Sequence, residues 1–142
     1  MPTCLFCKII DGEIPGTFVH QDERAVIFLD INQAAEGHLL IVPRHHVEMW
    51  HELDGELAAH LARLSVDWAA PMLDVAGTDH YNVAVNNGAF ASQEVPHLHL
   101  HLIPRHKNDG LLRYGGPPRI AERDELQATA QRIIEAAGNK KG

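Results

Sequence analysis

The sequence predicts an α+β fold with a mainly antiparallel sheet. Several short apolar runs are separated by turn residues, and only two long segments carry helical periodicity. With 142 residues, of which 45% are apolar and 22% charged, the chain has the size and composition of a single globular domain, residues 1–142. No internal repeat or low-complexity linker divides it.

The first part of the chain predicts a short helix or turn followed by three strands. "CLFCKIIDG" is the helix or turn, and Asp11-Gly12 ends it. "TFVHQDERAVIFLDIN" is typical of a hairpin that turns at Asp22-Glu23. "GHLLIVPRHH" predicts the third strand, which Pro43 stops.

The remainder predicts two main helices and two more strands. Apolar residues at helical spacing indicate a helix from Leu53 to about Val75. "HYNVAVNNG" and "EVPHLHLHLIPR" predict the fourth and fifth strands. A Gly/Pro-rich loop at 106–118 precedes a C-terminal helix at about 119–137, which Gly138 is expected to close.

The charge and hydropathy of the chain disfavour two classes of partner. The formal net charge of −7 argues against non-specific binding to nucleic acid or to an anionic membrane surface. No apolar run approaches the ~20 residues that span a bilayer, and "MPTCLFCKII" has no charged n-region followed by an apolar h-region. We therefore expect a cytoplasmic protein.

Histidine and leucine alternate strictly from His97 to Leu102. Successive side chains of a strand point to opposite faces, so the leucines face the core while His97, His99 and His101 share the other face, about 6.6 Å apart. A histidine-rich surface and a metal site using two of the three are the alternatives to catalysis. Imidazole can attack phosphorus near neutral pH, and a neighbouring imidazole can move a proton, so the pattern favours catalysis.

The loop "NNGAFASQ" runs directly into this strand. Its backbone amides, together with Asn86, Ser92 and Gln93, are suited to surround phosphate oxygens. A loop of this composition alone is more often a simple turn, so its position beside the histidines carries the interpretation.

Both cysteines, Cys4 and Cys7, form one C-x-x-C near the N-terminus. In a reducing compartment this spacing favours metal binding or redox chemistry over a structural disulfide. Redox chemistry is disfavoured, because a thioredoxin-like C-x-x-C follows a strand and opens a helix in a βαβ unit.

The run His97-Leu98-His99-Leu100-His101-Leu102-Ile103 resembles the signature of the histidine triad (HIT) family of nucleotide hydrolases and transferases, His-φ-His-φ-His-φ-φ with φ apolar. The resemblance extends, in order, over "CLFCKIIDGEIP", "AVIFLDINQAAEGHLLIVPRHH" and "NNGAFASQEVPHLHLHLIPR". It implies an α+β fold with a five-stranded antiparallel sheet that pairs into a homodimer.

The resemblance implies that His99 attacks the α-phosphorus of a nucleotide and forms a nucleotidyl-imidazole, which water hydrolyses to the nucleoside monophosphate. The main-chain carbonyl of His97 would hold the other ring nitrogen of His99. His101 would contact the phosphate or the leaving group, and His38 would support the triad from the next strand. Glu94 stands where one family member has a serine near the leaving group, which leaves the leaving-group acid and the preferred leaving group open.

The resemblance also implies a nucleotide pocket. Asp30 would bind the ribose hydroxyls, and Asn86, Gln93 and the Val95 amide would hold the phosphate. The base would lie among apolar side chains, of which some are expected to be core only: Leu5, Phe6, Ile9, Phe28 and Ile31.

A metal site is implied by the zinc-binding members of the family. Its ligands would be Cys4, Cys7, His46 and His97, a Cys₂His₂ set suited to Zn²⁺ in a structural role. The spacing alone leaves His45 as an alternative to His46.

The function expected from the resemblance is a purine nucleotide phosphoramidase or nucleotidylyl hydrolase, with AMP as product and no organic cofactor. The alternatives are a dinucleoside polyphosphate hydrolase, a nucleotide-binding module with incidental hydrolysis, and a zinc-storage or zinc-sensing protein. Uridylyltransferase activity is disfavoured because that branch has His-Pro-His, whereas Leu98 and Leu100 separate the histidines here.

Overall fold

A computed structural model describes residues 3–111 and 121–141 in two compact units, the first ending at Gly110 and the second beginning at Leu111. The second unit contains helix α3, Arg123–Lys141. Most of the predicted loop at 106–118 and the predicted helix start at residue 119 lie outside the described residues.

The predicted end of α3 at Gly138 is wrong, because the helix continues to Lys141. Gly138 does not adopt the left-handed backbone conformation with which a glycine closes a helix. Glycine inside a helix costs about 1 kcal/mol relative to alanine, which by itself is too little to end one.

The first unit is built on a five-stranded antiparallel sheet with the strand order β1-β2-β3-β5-β4. This confirms the predicted fold class. The strands are β1 Phe18–Gln21, β2 Ala25–Leu29, β3 Leu39–Pro43, β4 His80–Val85 and β5 Leu100–Arg105.

Strand β5 is shorter than predicted, because it begins at Leu100 rather than at Glu94. Pro96 has no N–H for a sheet ladder, and the paired part of β3 ends where Ile41 faces Leu100. The predicted alternation nevertheless extends beyond the strand. Leucines 98, 100 and 102 are all buried in one hydrophobic core, on the side away from the histidines.

The sheet is covered on both faces, which explains why the first four residues of β2 are fully buried. Helix α1, Leu5–Ile10, packs through Phe6 against one face. Helix α2, Gly55–Ala76, packs through Leu57, Leu61 and Leu64 against the other, confirming the predicted middle helix. Two 3₁₀ turns lie at Trp50–Glu52 and Ala89–Ala91. Among the described residues, no helix is long and apolar enough to cross a membrane.

Asp22 connects the β1–β2 turn to helix α2. Its Oδ1 accepts the N–H groups of Arg24 and Ala25 at 2.8 and 2.9 Å. Its Oδ2 lies 2.7 Å from His20 Nε2 and 2.8 Å from His60 Nε2, and His60 belongs to α2. Burial acts to raise the pKa of Asp22, but the hydrogen bonds from these partners outweigh it and hold the pKa well below its usual range.

We expect Asp22→Ala to lower the free energy of unfolding by roughly 2–4 kcal/mol at pH 7, because charge-assisted hydrogen bonds are lost at a partly buried site. Because the folded-state pKa is depressed, this contribution is present above the unfolded-state pKa of about 3.9 and declines as pH falls below it. Urea unfolding at pH 7 and pH 3 measures both effects. The exposed neighbour provides the control, since Glu23→Ala should change stability by no more than about 0.5 kcal/mol. Equal losses in the two variants would contradict the assignment.

Candidate active site

A cavity of about 590 Å³ lies between α1 and the sheet, a volume typical of sites for small organic ligands. Leu5, Phe6 and Ile9 of α1 and Phe28 of β2 form an apolar part of its lining. His99 and His101 also line it. All of these residues belong to the first unit.

His99 is held in one tautomer by the backbone. Its Nδ1 lies 2.8 Å from the carbonyl oxygen of His97, which can only accept a hydrogen bond, so Nδ1 carries the proton. The lone pair of the neutral ring is therefore on Nε2. Burial lowers the pKa of His99, against the opposing influence of the His97 hydrogen bond and of the Asp30 and Glu94 charges. A neutral imidazole with a bare Nε2 is a nucleophile.

The tautomers of His38 and His101 are also fixed by hydrogen bonds, first that of His38 and through it that of His101. The N–H of Ala34 donates to His38 Nδ1 at 3.2 Å, so the neutral ring of His38 carries its proton on Nε2. That Nε2 lies 2.9 Å from His101 Nδ1, which accepts and leaves the proton of His101 on its own Nε2. Burial lowers the pKa of both rings, that of His101 to about 4. His101 thus offers the cavity a neutral hydrogen-bond donor.

The loop before β5 also lines the cavity, through Asn86, Ser92, Glu94 and Val95. Gln93 does not line the cavity. Its Nε2 donates to the carbonyl of Glu48 at 2.8 Å and its Oε1 accepts the N–H of Gly88 at 2.6 Å, so this side chain holds the loop in place.

The structure places the other predicted nucleotide contacts around this cavity. Asp30 lines it, and its Oδ1 accepts the N–H of Asn32 at 2.9 Å while its Oδ2 lies 3.7 Å from His38 Nε2. The five residues expected around a base all line it: Leu5, Phe6, Ile9, Phe28 and Ile31.

Sequence reasoning missed the segment 14–17, which lines the cavity between α1 and β1. A Cβ on Gly16 would lie 2.7 Å from the Cγ2 of Ile9 and 3.2 Å from the ring of Phe18. The close approach therefore requires glycine unless Ile9 moves. The Pro15-Gly16 pair was the available signal, but it indicates a turn and not a cavity wall.

Four side chains that do not line the cavity converge into a cluster, here called the Cys/His cluster: Cys4, Cys7, His46 and His97. His97 Nδ1 lies 3.3 Å from Cys4 Sγ and 3.5 Å from Cys7 Sγ. His46 Nδ1 lies 3.4 Å from Cys7 Sγ and 3.2 Å from His97 Nδ1. Exposed His45 does not belong to the cluster.

The donor set of the Cys/His cluster fits a closed four-coordinate metal. A tetrahedral zinc ion would separate its S and N ligands by about 3.5 Å and its two N ligands by about 3.4 Å. His97 Nε2 lies 2.8 Å from the carbonyl of Pro43, so it carries the proton and turns a bare Nδ1 toward the thiols. Asp30, His38 and His101 are a second group of possible ligands, but the two rings already hydrogen-bond to each other.

Comparison with known proteins gives relatives over nearly the whole chain. The model of the HIT domain family matches residues 11–108. An uncharacterised HIT-like protein of Methanocaldococcus jannaschii is 43% identical over 124 residues, which cover 87% of this chain and 95% of that protein. An adenosine 5'-monophosphoramidase of Schizosaccharomyces pombe is 34% identical over 131 residues, which cover 92% of this chain and 96% of that protein.

The fold agrees with these sequence matches. The crystal structure of a zinc-bound histidine triad family protein from Mycobacterium smegmatis matches with a TM-score of 0.72 and 30% identity, over 95% of this chain and 98% of that chain. Residues 11–108, which the family model matches, contain the five-stranded sheet, the alternating histidines and all the described cavity-lining residues except Leu5, Phe6 and Ile9. The chain therefore belongs to the HIT family.

Proposed function

We propose that the protein is a nucleotide phosphoramidase or nucleotidylyl hydrolase that acts at the α-phosphate of a purine nucleotide, with adenosine as the expected nucleoside. The observation that carries the proposal is the fixed tautomer of His99, whose bare Nε2 belongs to a ring lining a cavity of ligand size. The name of the S. pombe relative, adenosine 5'-monophosphoramidase, supports the same class of reaction.

The reaction proceeds in two displacements at phosphorus. In the first, the lone pair of His99 Nε2 forms a bond to the α-phosphorus, and the bond from phosphorus to the leaving amine breaks with its electron pair on nitrogen, which takes up one proton from solvent. In the second, water forms a new P–O bond, the bond to His99 breaks with its electrons on Nε2, and one proton returns to solvent. The net result is a nucleoside monophosphate and a free amine.

The surrounding residues orient this chemistry. The carbonyl of His97 fixes the His99 ring through Nδ1. His101 donates its Nε2–H to a phosphate oxygen, and His38 is a positioning residue that sets the His101 tautomer. These neutral donors and acceptors are already aligned before the substrate arrives, which lowers the reorganisation needed in the transition state.

The nucleotide lies along the cavity in the same proposal. Its base packs between α1 and Phe28, and its ribose reaches Asp30. The phosphate lies near His99, Asn86 and the Val95 amide, while Gln93 acts indirectly by holding the loop.

We further propose that the Cys/His cluster binds Zn²⁺ in a structural role. The interatomic distances and the zinc-bound M. smegmatis relative support this choice of metal. With four protein ligands the ion would have no open coordination position. It would therefore connect the N-terminal cysteines to His46 and His97 without taking part in the reaction.

We also propose that the chain forms a homodimer through β4. Among the described strands, β4 pairs with β5 on one side only, and Val83 on it is 50% exposed. An exposed edge strand with apolar side chains is a favourable surface for a second copy. Size-exclusion chromatography with light scattering measures the assembly directly.

Rapid-quench intact-mass analysis with adenosine 5'-phosphoramidate tests the covalent step. The native chain should gain the mass of one AMP unit transiently, whereas His99→Ala should show no adduct and lose roughly 10³-fold or more in kcat. His51→Ala is the matched control, because His51 is exposed and lies outside the cavity, and it should behave like the native chain. If the native chain binds AMP but yields neither adduct nor product, the protein is a binding module and the proposal fails.

Substitution of the two adjacent histidines tests the zinc site. His46→Ala should reduce zinc from about one equivalent per chain to a small fraction, because a three-ligand site with an open position binds the structural ion more weakly. His45→Ala should leave the zinc content unchanged. Inductively coupled plasma mass spectrometry after dialysis against a mild chelator gives the readout. Retention of zinc by His46→Ala, or its loss from His45→Ala, would contradict the assignment.

The pH profile of kcat/KM tests the neutral state of the histidines. Burial holds the pKa of His101 at about 4, so the neutral ring needed to accept from His38 is present at neutral pH and is lost as pH falls through about 4. The acid limb should therefore lie well below the ordinary histidine pKa of about 6.5. An acid limb centred near 6.5, with circular dichroism showing a folded chain, would refute this picture.

A further inference from the structure

The lining of the cavity has three chemically different parts. Apolar side chains of α1 and β2 form one part, and His99 and His101 form another. The loop before β5 contributes the polar side chains of Asn86, Ser92 and Glu94. A nucleotide with its base among the apolar side chains and its phosphorus at His99 leaves these polar side chains to contact the group attached to phosphorus.

The described residues that line the cavity include two charged side chains, and both are acidic. Asp30 lies beside His38, with Oδ2 3.7 Å from His38 Nε2, and in the binding mode proposed above it contacts the ribose. Glu94 lines the same cavity as His99 and is exposed.

The described lining contains no lysine or arginine. Its two imidazoles, His99 and His101, belong to a residue type that is mainly neutral at pH 7. Sites that expel a phosphate chain usually surround it with arginine, lysine or a metal ion. An anionic leaving group beside this loop would instead meet the carboxylate of Glu94, with no lysine or arginine among the described lining residues to compensate it.

We propose that Glu94 makes the site selective for nucleotides whose leaving group is an amine with an additional positive charge, and against those whose leaving group is anionic, such as a phosphate chain or sulfate. This inference rests on the function proposed above and deepens it, because it names the class of leaving group. Glu94 is a specificity-determining residue in this assignment. The bond that forms and the bond that breaks at phosphorus are unchanged.

Three adenosine phosphoramidates of equal chain length test the proposal, with 1,4-diaminobutane, butylamine and 4-aminobutyrate as the amines. Their leaving groups differ in the charge at the far end of the butyl chain, which is positive, absent or negative. For the native chain at low salt, kcat/KM should fall in that order, with roughly tenfold or more between the extremes. High salt should narrow the range, since an exposed carboxylate is screened.

Variants of Glu94 are compared through the ratio of kcat/KM for the cationic and anionic substrates, which is independent of the fraction of active protein. Glu94→Asp keeps the charge and should keep the order. Glu94→Gln should bring the ratio to within about threefold of unity, and Glu94→Lys should invert it. Glu56→Gln, on the α2 face of the sheet, is the control and should retain both the native rates and the native ratio.

The outcomes separate the two proposals. If the native chain does not hydrolyse the butylamine derivative, the proposed phosphoramidase function fails. If it does, but the three substrates react equally or Glu94→Gln and Glu94→Lys keep the native ratio, the assignment of Glu94 fails alone. A diadenosine polyphosphate hydrolysed faster than the butylamine derivative by the native chain would also overturn it.

Discussion

The hydrogen bond from His99 Nδ1 to the main-chain carbonyl of His97 is the interaction on which the site depends. It fixes which ring nitrogen of His99 carries the lone pair, and it uses a backbone atom that a side-chain substitution does not remove. The side chain of the same residue remains available. His97 is fully buried and directs its ring away from the cavity, to the carbonyl of Pro43 and to the cysteines. His97 thus joins His99 to the N-terminal segment.

Burial of the three imidazoles is unfavourable when they are charged, so it favours their neutral forms. Each ring has one hydrogen bond that fixes its tautomer: Ala34 donates to His38, His38 donates to His101, and His99 donates to His97. Desolvation keeps the rings neutral, and the one-way partners determine which nitrogen faces the cavity. Neither effect requires a conformational change, which is consistent with the position of His99 and His101 beside and on β5, an interior strand of the sheet.

The sequence was most informative where the pattern is local. Alternation of histidine and leucine predicted the two faces of the row, and helical spacing predicted α2, because both depend on residues close in the chain. The start of β5 could not be predicted in the same way, since it depends on where β3 stops pairing. Gly138 shows the same limit, because a glycine signals a possible helix end without enforcing one.

For the candidate site too, local sequence patterns predicted some features and could not predict others. The motif contains His99 and His101, which line the cavity, but one of the two hydrogen-bond partners of Gln93 is a carbonyl 45 positions away, on Glu48. An amide side chain before the motif suits either a phosphate contact or a loop contact, and only the tertiary structure distinguishes the two. The wall formed by residues 14–17 was missed for a related reason, since nothing local in a Pro-Gly turn indicates which surface it will face.

Helix α1 has only six residues, too few to be stable in isolation. Its conformation therefore depends on its contacts, and it has contacts of two kinds: Cys4 and Cys7 toward the Cys/His cluster, and Leu5, Phe6 and Ile9 toward the cavity. If the cavity and the Cys/His cluster bind as proposed above, their occupancies are thermodynamically linked through α1. A ligand that orders α1 from the cavity would strengthen binding at the cysteines, and by reciprocity binding at the cysteines would strengthen binding of the ligand by the same factor.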